Sequence, residues 1–165
     1  MTVEIDLTSL IKEQFQLDTA IQNNHNVTYS DTYEERKLAL LVELGEFANT
    51  TRCFKFWSNK GPDIKERVLD EAADCLHFYL SLMICDNDGE IEGNWKKSFE
   101  LIDGKVGNKK LTNLFRKVIE IESENLSSFK EFLNIIYGLG YRWSDLEDAY
   151  YKKLKVNYDR QDNNY

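Results

Sequence analysis

Residues 42–49 read VELGEFAN, and how that stretch folds decides how the chain folds. Glu43 and Glu46 stand one helical turn apart among Leu38, Leu40, Leu41, Val42, Leu44, Phe47 and Ala48. On a helix these residues would spread apolar surface over nearly every side, and a helix apolar all round is expected to be enclosed. Carboxylates are seldom enclosed unless something pairs with them. The segment therefore predicts a helix with two acids that need a partner.

A second stretch repeats the pattern. In VLDEAADCLHFYLSL (68–82), Glu71 and Asp74 share one helical face among Val68, Leu69, Ala72, Ala73, Cys75, Leu76 and Phe78. The chain thus carries E-x-x-E, 24 intervening residues, then E-x-x-D. The turn SNKGP (58–62) between them predicts two antiparallel helices, which would bring four carboxylates around one small volume. A hard divalent cation relieves such repulsion, and Mg2+ suits because it takes carboxylate oxygens while leaving room for water and phosphate. The plainer alternative is four helix-surface acids paired with Lys37, Lys55, Lys65 or Arg67; spacing alone leaves both open.

Composition narrows the function classes. The 165 residues include one Pro and eight Gly, which leaves little for linkers and predicts a single domain over 1–165. With 42% hydrophobic residues, the chain has the material for a packed core despite being 30% charged. A net charge of -8 argues against nucleic-acid binding, which needs a basic footprint to displace counterions. Cys53, Cys75 and Cys85 have no zinc-site spacing and sit in apolar or aromatic contexts, as expected of reduced core residues. MTVEIDLTSL lacks a basic signal-peptide start, and the apolar run CLHFYLSLMIC (75–85) is too short to span a bilayer. A cytoplasmic location without membrane attachment is the expectation.

The periodicity predicts an all-α chain. Helices are expected at 3–22, from Ser30/Asp31/Thr32 to about Trp57, and from Asp63 to Ile84. Shorter helices should follow at 95–103 and 108–123, then 125–137 and 144 to about 158. No period-2 alternation is long enough to suggest a sheet. The turn-rich DNDGEIEGN (86–94) and hinge candidates Gly104 and Gly107 mark a mobile sub-region at about 86–124, and DRQDNNY (159–165) a flexible tail. DNDGEIEGN places its Gly too early for an EF-hand, and GKVGNKK (104–110) lacks Walker spacing. Trp95 and Trp143 are expected to pack or sit at an interface.

ELGE (43–46), RCFKFW (52–57) and DEAADCLHF (70–78), in this order and spacing, resemble the all-α nucleoside triphosphate pyrophosphohydrolases, and most of all their dimeric dUTPase branch in its phage and bacterial members. The resemblance implies a homodimeric helical bundle with Glu43, Glu46, Glu71 and Asp74 as Mg2+ ligands, roughly two or three ions per site. It places Phe54 and Trp57 beside the base or sugar and Lys55 on phosphate. EQFQLD (13–18) is similar to the family's base-reading segment, which implies Gln14 and Asp18 as base contacts; Asp18 stands where an Asn is usual. At the C-terminus, KKLKVNYDRQDNNY (152–165) sets Lys153, Asn157 and Arg160 on one helical face, a charge, an amide and a planar fork suited to phosphate. The family ends in a similar phosphate-closing segment, with a Gly where this chain has Asn164.

The resemblance therefore implies hydrolysis of dUTP, and of dUDP as a further substrate, to dUMP by attack of metal-activated water on the α-phosphate. Glu46 is the expected base, with Glu43 next. His77 matches the family motif, but a lone His in an apolar run is expected to be a hydrogen-bonded core residue. Two rivals remain at this stage. One is a pyrophosphohydrolase of dCTP or a modified dNTP, because the carboxylate motif is shared. The other is a helical interaction protein, consistent with phage dUTPases that bind repressors of mobile genetic islands.

Overall fold

The structure is a computed structural model that describes residues 1–121 and 126–163. Six helices carry the fold: α1 (Thr8–His25), α2 (Tyr33–Thr51, entered through a 3-10 turn at Ser30–Thr32), α3 (Lys65–Asp86), α4 (Asn108–Glu120), α5 (Leu126–Gly138) and α6 (Trp143–Asp162). Helix α3 is the axis, packed by α2, α6 and α1, while α4 and α5 pair with each other. Its side chains are buried on every face, from Val68 and Leu69 through Tyr79 and Leu80 to Ile84. This is the all-round apolar helix the sequence expects, found one segment further along. In α2 the expectation of enclosure fails. Leu40, Leu44, Phe47 and Ala48 form a buried stripe, but Leu38, Leu41 and Val42 are 62%, 38% and 50% exposed.

Helix α2 also ends earlier than its pattern suggests, at Thr51 rather than near Trp57. Thr50 and Thr51 donate their hydroxyls back to the carbonyls of Phe47 and Ala48 at 2.7 and 2.8 Å, competing with further helical bonding. Arg52 then takes a left-handed conformation, φ 56°, and its N–H caps Ala48 and Asn49. The chain returns through a bond from Asp63 N–H to Thr50 O at 2.9 Å. At the far end Arg36 reaches Ser81. Partner numbers that fall on α3 as they rise on α2 make the pair antiparallel, as expected.

A small sheet is present where helix is expected. Strand β1 (Thr2–Asp6) pairs antiparallel with β2 (Lys96–Glu100), Val3 opposite Phe99 and Ile5 opposite Lys97. Ile5 and Phe99 point into the core while Thr2, Glu4, Lys96 and Glu100 stay outside. Five residues per strand are too few to establish a period, and Val3, Ile5 and Leu7 also suit a helix start, so the pairing across the chain is invisible locally. Helix α1 accordingly begins at Thr8, and the expected helix at 95–103 is a strand. Helices α4 and α5 agree with expectation as far as they are described; the expected helix end at 121–123 and the start of the next fall partly on 122–125, outside the described residues. Helix α6 runs on to Asp162, and Asn164 and Tyr165 of the expected tail lie outside the described residues. No helix among the described residues is long and apolar enough to cross a membrane. All three cysteines are free.

Candidate active site

The α2–α3 pairing does to the acids what their spacing demands. Glu43 and Glu46 flank the buried stripe of α2, and Glu71 lies buried on the facing side of α3. One carboxylate oxygen from each of these three lies within 4.8 Å of the others. Asp74, close enough to act on Glu43, pairs with Lys153, whose Nζ lies 2.8 Å from Asp74 and 2.9 Å from Asp70. Glu71 also takes Arg67 Nη2 at 2.6 Å. Of the surface cations considered as partners for the acids, Arg67 pairs with Glu71, while Lys65 pairs with Asp145 and Lys37 with Glu34.

Crowding leaves its mark on protonation. Burial, then the charges of Asp74, Glu46 and Glu71, push the Glu43 carboxyl up to about 7. Burial also raises Glu71, with Arg67 acting against it, and raises Asp74 in spite of Lys153. Lys153 is itself buried, which works against its charge, yet Asp74 and Asp70 outweigh this and raise its pKa. The donor set is all carboxylate oxygen, the chemistry of a hard divalent cation, and the trio's repulsion is what such an ion would relieve.

A cavity of about 540 Å3 opens beside the carboxylates. Glu43 and Asp74 line its acidic end, Asn157 and Arg160 of α6 one wall, and Gln14, Asp18 and His77 its polar floor. Helix α6 delivers its groups because Leu146, Tyr150, Lys153 and Leu154 form its buried stripe against α3, carrying Asn157 and Arg160 along the same side. Arg160 Nη1 donates to Asn157 Oδ1 at 3.4 Å.

Asp18 is almost completely buried and accepts four donors from the protein. Gln14 Nε2 at 2.9 Å and Arg36 Nη1 at 3.3 Å address one oxygen; Tyr29 Oη at 3.0 Å and Ser81 Oγ at 2.7 Å address the other. Gln14 Oε1 faces His77 Nδ1 at 2.7 Å and accepts from Tyr150 Oη at 3.2 Å. The His77 ring stacks on Tyr150, centroids 4.3 Å apart. It is thus the hydrogen-bonded core histidine its sequence context suggests, though it also lines the cavity.

Phe54, Lys55 and Trp57 do not join this site within the chain. They are absent from the cavity wall, and Phe54, Phe56 and Trp57 make an edge-on aromatic cluster at the surface, with Trp57 65% exposed. Sequence reasoning missed Arg36, Tyr29, Ser81 and Asp70. The first three carried a signal in retrospect: an Asp in an otherwise apolar α1 face needs donors, but nothing local says which segments supply them.

An antiparallel helix pair that converges carboxylates beside a cavity defines the chain as a helical bundle of the carboxylate-site class. The family model described as dUTPase matches residues 6–165. The chain therefore belongs to the dimeric all-α dUTPase family, and its activity is that of a dUTP diphosphatase. No curated protein sequence matches the chain.

Proposed function

We propose that this chain hydrolyses dUTP to dUMP and pyrophosphate in a Mg2+-dependent reaction at the cavity between α2, α3 and α6, as a homodimer. The observation that carries the reading is the convergence of Glu43 with Glu46 and Glu71, where Glu43 also lines a cavity shared with Asp74, Asn157 and Arg160. Glu43, Glu46, Glu71 and, once released from Lys153, Asp74 would hold the ions. Bound Mg2+ supplies charge neutralisation on the phosphate chain and acidifies water.

Within that frame the chain's own groups have distinct tasks. A carboxylate oxygen of Glu46, the most exposed of the trio, takes the proton of the water that attacks the α-phosphate in line. Glu43 is its closest substitute. Lys153, freed by rearrangement of Asp74, together with Asn157 and Arg160, orients the phosphates and stabilises charge on the leaving pyrophosphate. Gln14, Asp18 and His77 form the end of the cavity left for base and sugar. The exposed Leu38, Leu41 and Val42 on α2 supply the apolar face a second copy would cover, and the aromatic cluster of Phe54, Phe56 and Trp57 adds to the uncovered surface.

A turnover panel of dUTP, dUDP, dCTP, dTTP, dATP and dGTP, each with Mg2+ and with chelator, tests the assignment. Pyrophosphate release from dUTP in Mg2+ alone is expected. Release that persists in chelator, or a preference for dCTP, would overturn it.

A further inference from the structure

Asp18 has no oxygen to spare for a ligand, yet it sits at the floor of the cavity with its effect passed on through Gln14. A carboxylate can only accept, so the Gln14 amide must turn its NH2 to Asp18. Flipping it would set two acceptors against each other at about the same 2.9 Å. Gln14 Oε1 is then the atom that faces His77 Nδ1 and the Tyr150 hydroxyl. An acceptor at 2.7 Å requires a proton on Nδ1. His77 Nε2 is left with a lone pair, buried, and among the described residues it has no hydrogen-bond partner.

We propose that Asp18 is a positioning residue that acts through Gln14 to lock His77 in its Nδ1–H tautomer, so that Nε2 accepts a hydrogen bond from an N–H or O–H of the nucleotide's base or sugar. This rests on reading the cavity as the nucleotide site. Burial, then the charge of Lys153, hold the His77 pKa down to about 3 against the opposing pull of the Tyr150 backbone, in keeping with a neutral ring. A neutral acceptor at this place suits the ring imide N–H of uracil or a sugar hydroxyl. It would not suit the ring nitrogen of cytosine at the corresponding position, which is itself an acceptor.

The lock makes a specific prediction for Asp18→Asn. Arg36 can only donate, whereas the Tyr29 and Ser81 hydroxyls can also accept, so the oxygen of the introduced amide stays with Gln14 and Arg36 and its NH2 turns to the two hydroxyls. Gln14 then keeps its orientation and the proton stays on Nδ1; Asp18→Ala, which leaves the Gln14 amide without its acceptor, should release the lock and let the proton move to Nε2. The chain has two histidines, so 15N NMR of ring-labelled protein, assigned with His25→Gln, reads the tautomer directly. In the wild-type protein and in Asp18→Asn a pyrrole-type Nδ1 and pyridine-type Nε2 are expected, and in Asp18→Ala a loss of that single-tautomer signature, with KM for dUTP raised about tenfold and kcat changed less. Because Asp18→Ala removes a buried ion-pair partner and the variant could fail to fold, the wild-type spectrum is decisive by itself: a proton on Nε2 there overturns the lock.

Adding α,β-imido-dUTP with Mg2+ should shift the Nε2 resonance. The N3-methyl and 3′-deoxy analogues identify the donor, since only the one lacking it should leave Nε2 unmoved. If all three analogues bind and none moves Nε2, the ligand contact is refuted. If none binds while the tautomer is as expected, the lock stands and the nucleotide reading of the cavity falls.

Discussion

Glu43→Gln removes one of the mutually repelling acids while keeping its shape, and its consequence for stability can be worked from the site. In the folded chain the Glu43 carboxyl is pushed from its usual range to about 7. A group that holds its proton more tightly when folded contributes stability below its unfolded pKa and loses that contribution as pH rises through the folded value. Ion-free protein should therefore become less stable between about pH 4.5 and pH 7 and level off above. At 1.36 kcal/mol per pKa unit, full enclosure would make ionisation cost about 3 kcal/mol. Glu43 is only half-buried, so solvent screening reduces this to about 1 kcal/mol. The amide escapes the cost, so Glu43→Gln in chelator at pH 8 should melt about 3 °C above wild type and show little difference at pH 5. Millimolar Mg2+ should raise the wild-type midpoint, since a ligand of the folded state alone stabilises it, and should raise that of Glu43→Gln much less. Circular dichroism melts at both pH values, with chelator and with Mg2+, make the measurement. A variant that melts lower than wild type in chelator at pH 8, or a wild-type midpoint indifferent to Mg2+, would refute the account of the carboxylate cluster.

Glu46→Gln should lower dUTP turnover at least about a hundredfold, the scale of losing a general base or metal ligand, with helical content unchanged; near-normal turnover by pyrophosphate assay would sink its assignment. Deleting residues 159–165 removes Arg160 from the cavity wall and should sharply lower kcat/KM while leaving Mg2+ stabilisation in place, whereas Lys152→Ala, on the exposed side of α6, should be nearly silent. A truncated enzyme with wild-type kcat/KM would remove the case for a phosphate clamp. Val42→Asp, placed on the exposed apolar face of α2, should halve the mass measured by analytical ultracentrifugation; an unchanged dimer would put the interface elsewhere.

What could be read from the chain alone follows the range of the forces involved. The i, i+3 carboxylates and the apolar stripes of α2 and α3 are local patterns, and they located the helices and the face on which the acids meet. Asp74 shows where that reading stops: its spacing places it with Glu71, but the side chain pairs with Lys153, contributed by α6 from the far end of the sequence. Asp18 makes the same point, because Arg36, Tyr29 and Ser81 reach it from α2, the preceding loop and α3. The β1–β2 pairing was hidden because strands of five residues carry too little alternation to oppose a helical reading. The early end of α2 was hidden because Thr50 and Thr51 act through their hydroxyls, which hydrophobic periodicity ignores.

The salt bridges of Lys153 bear on the order of events in the life of the protein. Glu43, Glu46, Asp70, Glu71 and Asp74 crowd one region, and Lys153 and Arg67 stand against them from within the chain. With these two resident counter-charges, the bundle can close around its acids before any ion arrives. If the site takes Mg2+ as proposed, folding and metal loading are separable events, in contrast to small metal-dependent domains that stay unfolded until loaded. A cell short of magnesium would then accumulate folded, idle enzyme rather than unfolded chain, and restoring the ion would restore activity without new synthesis.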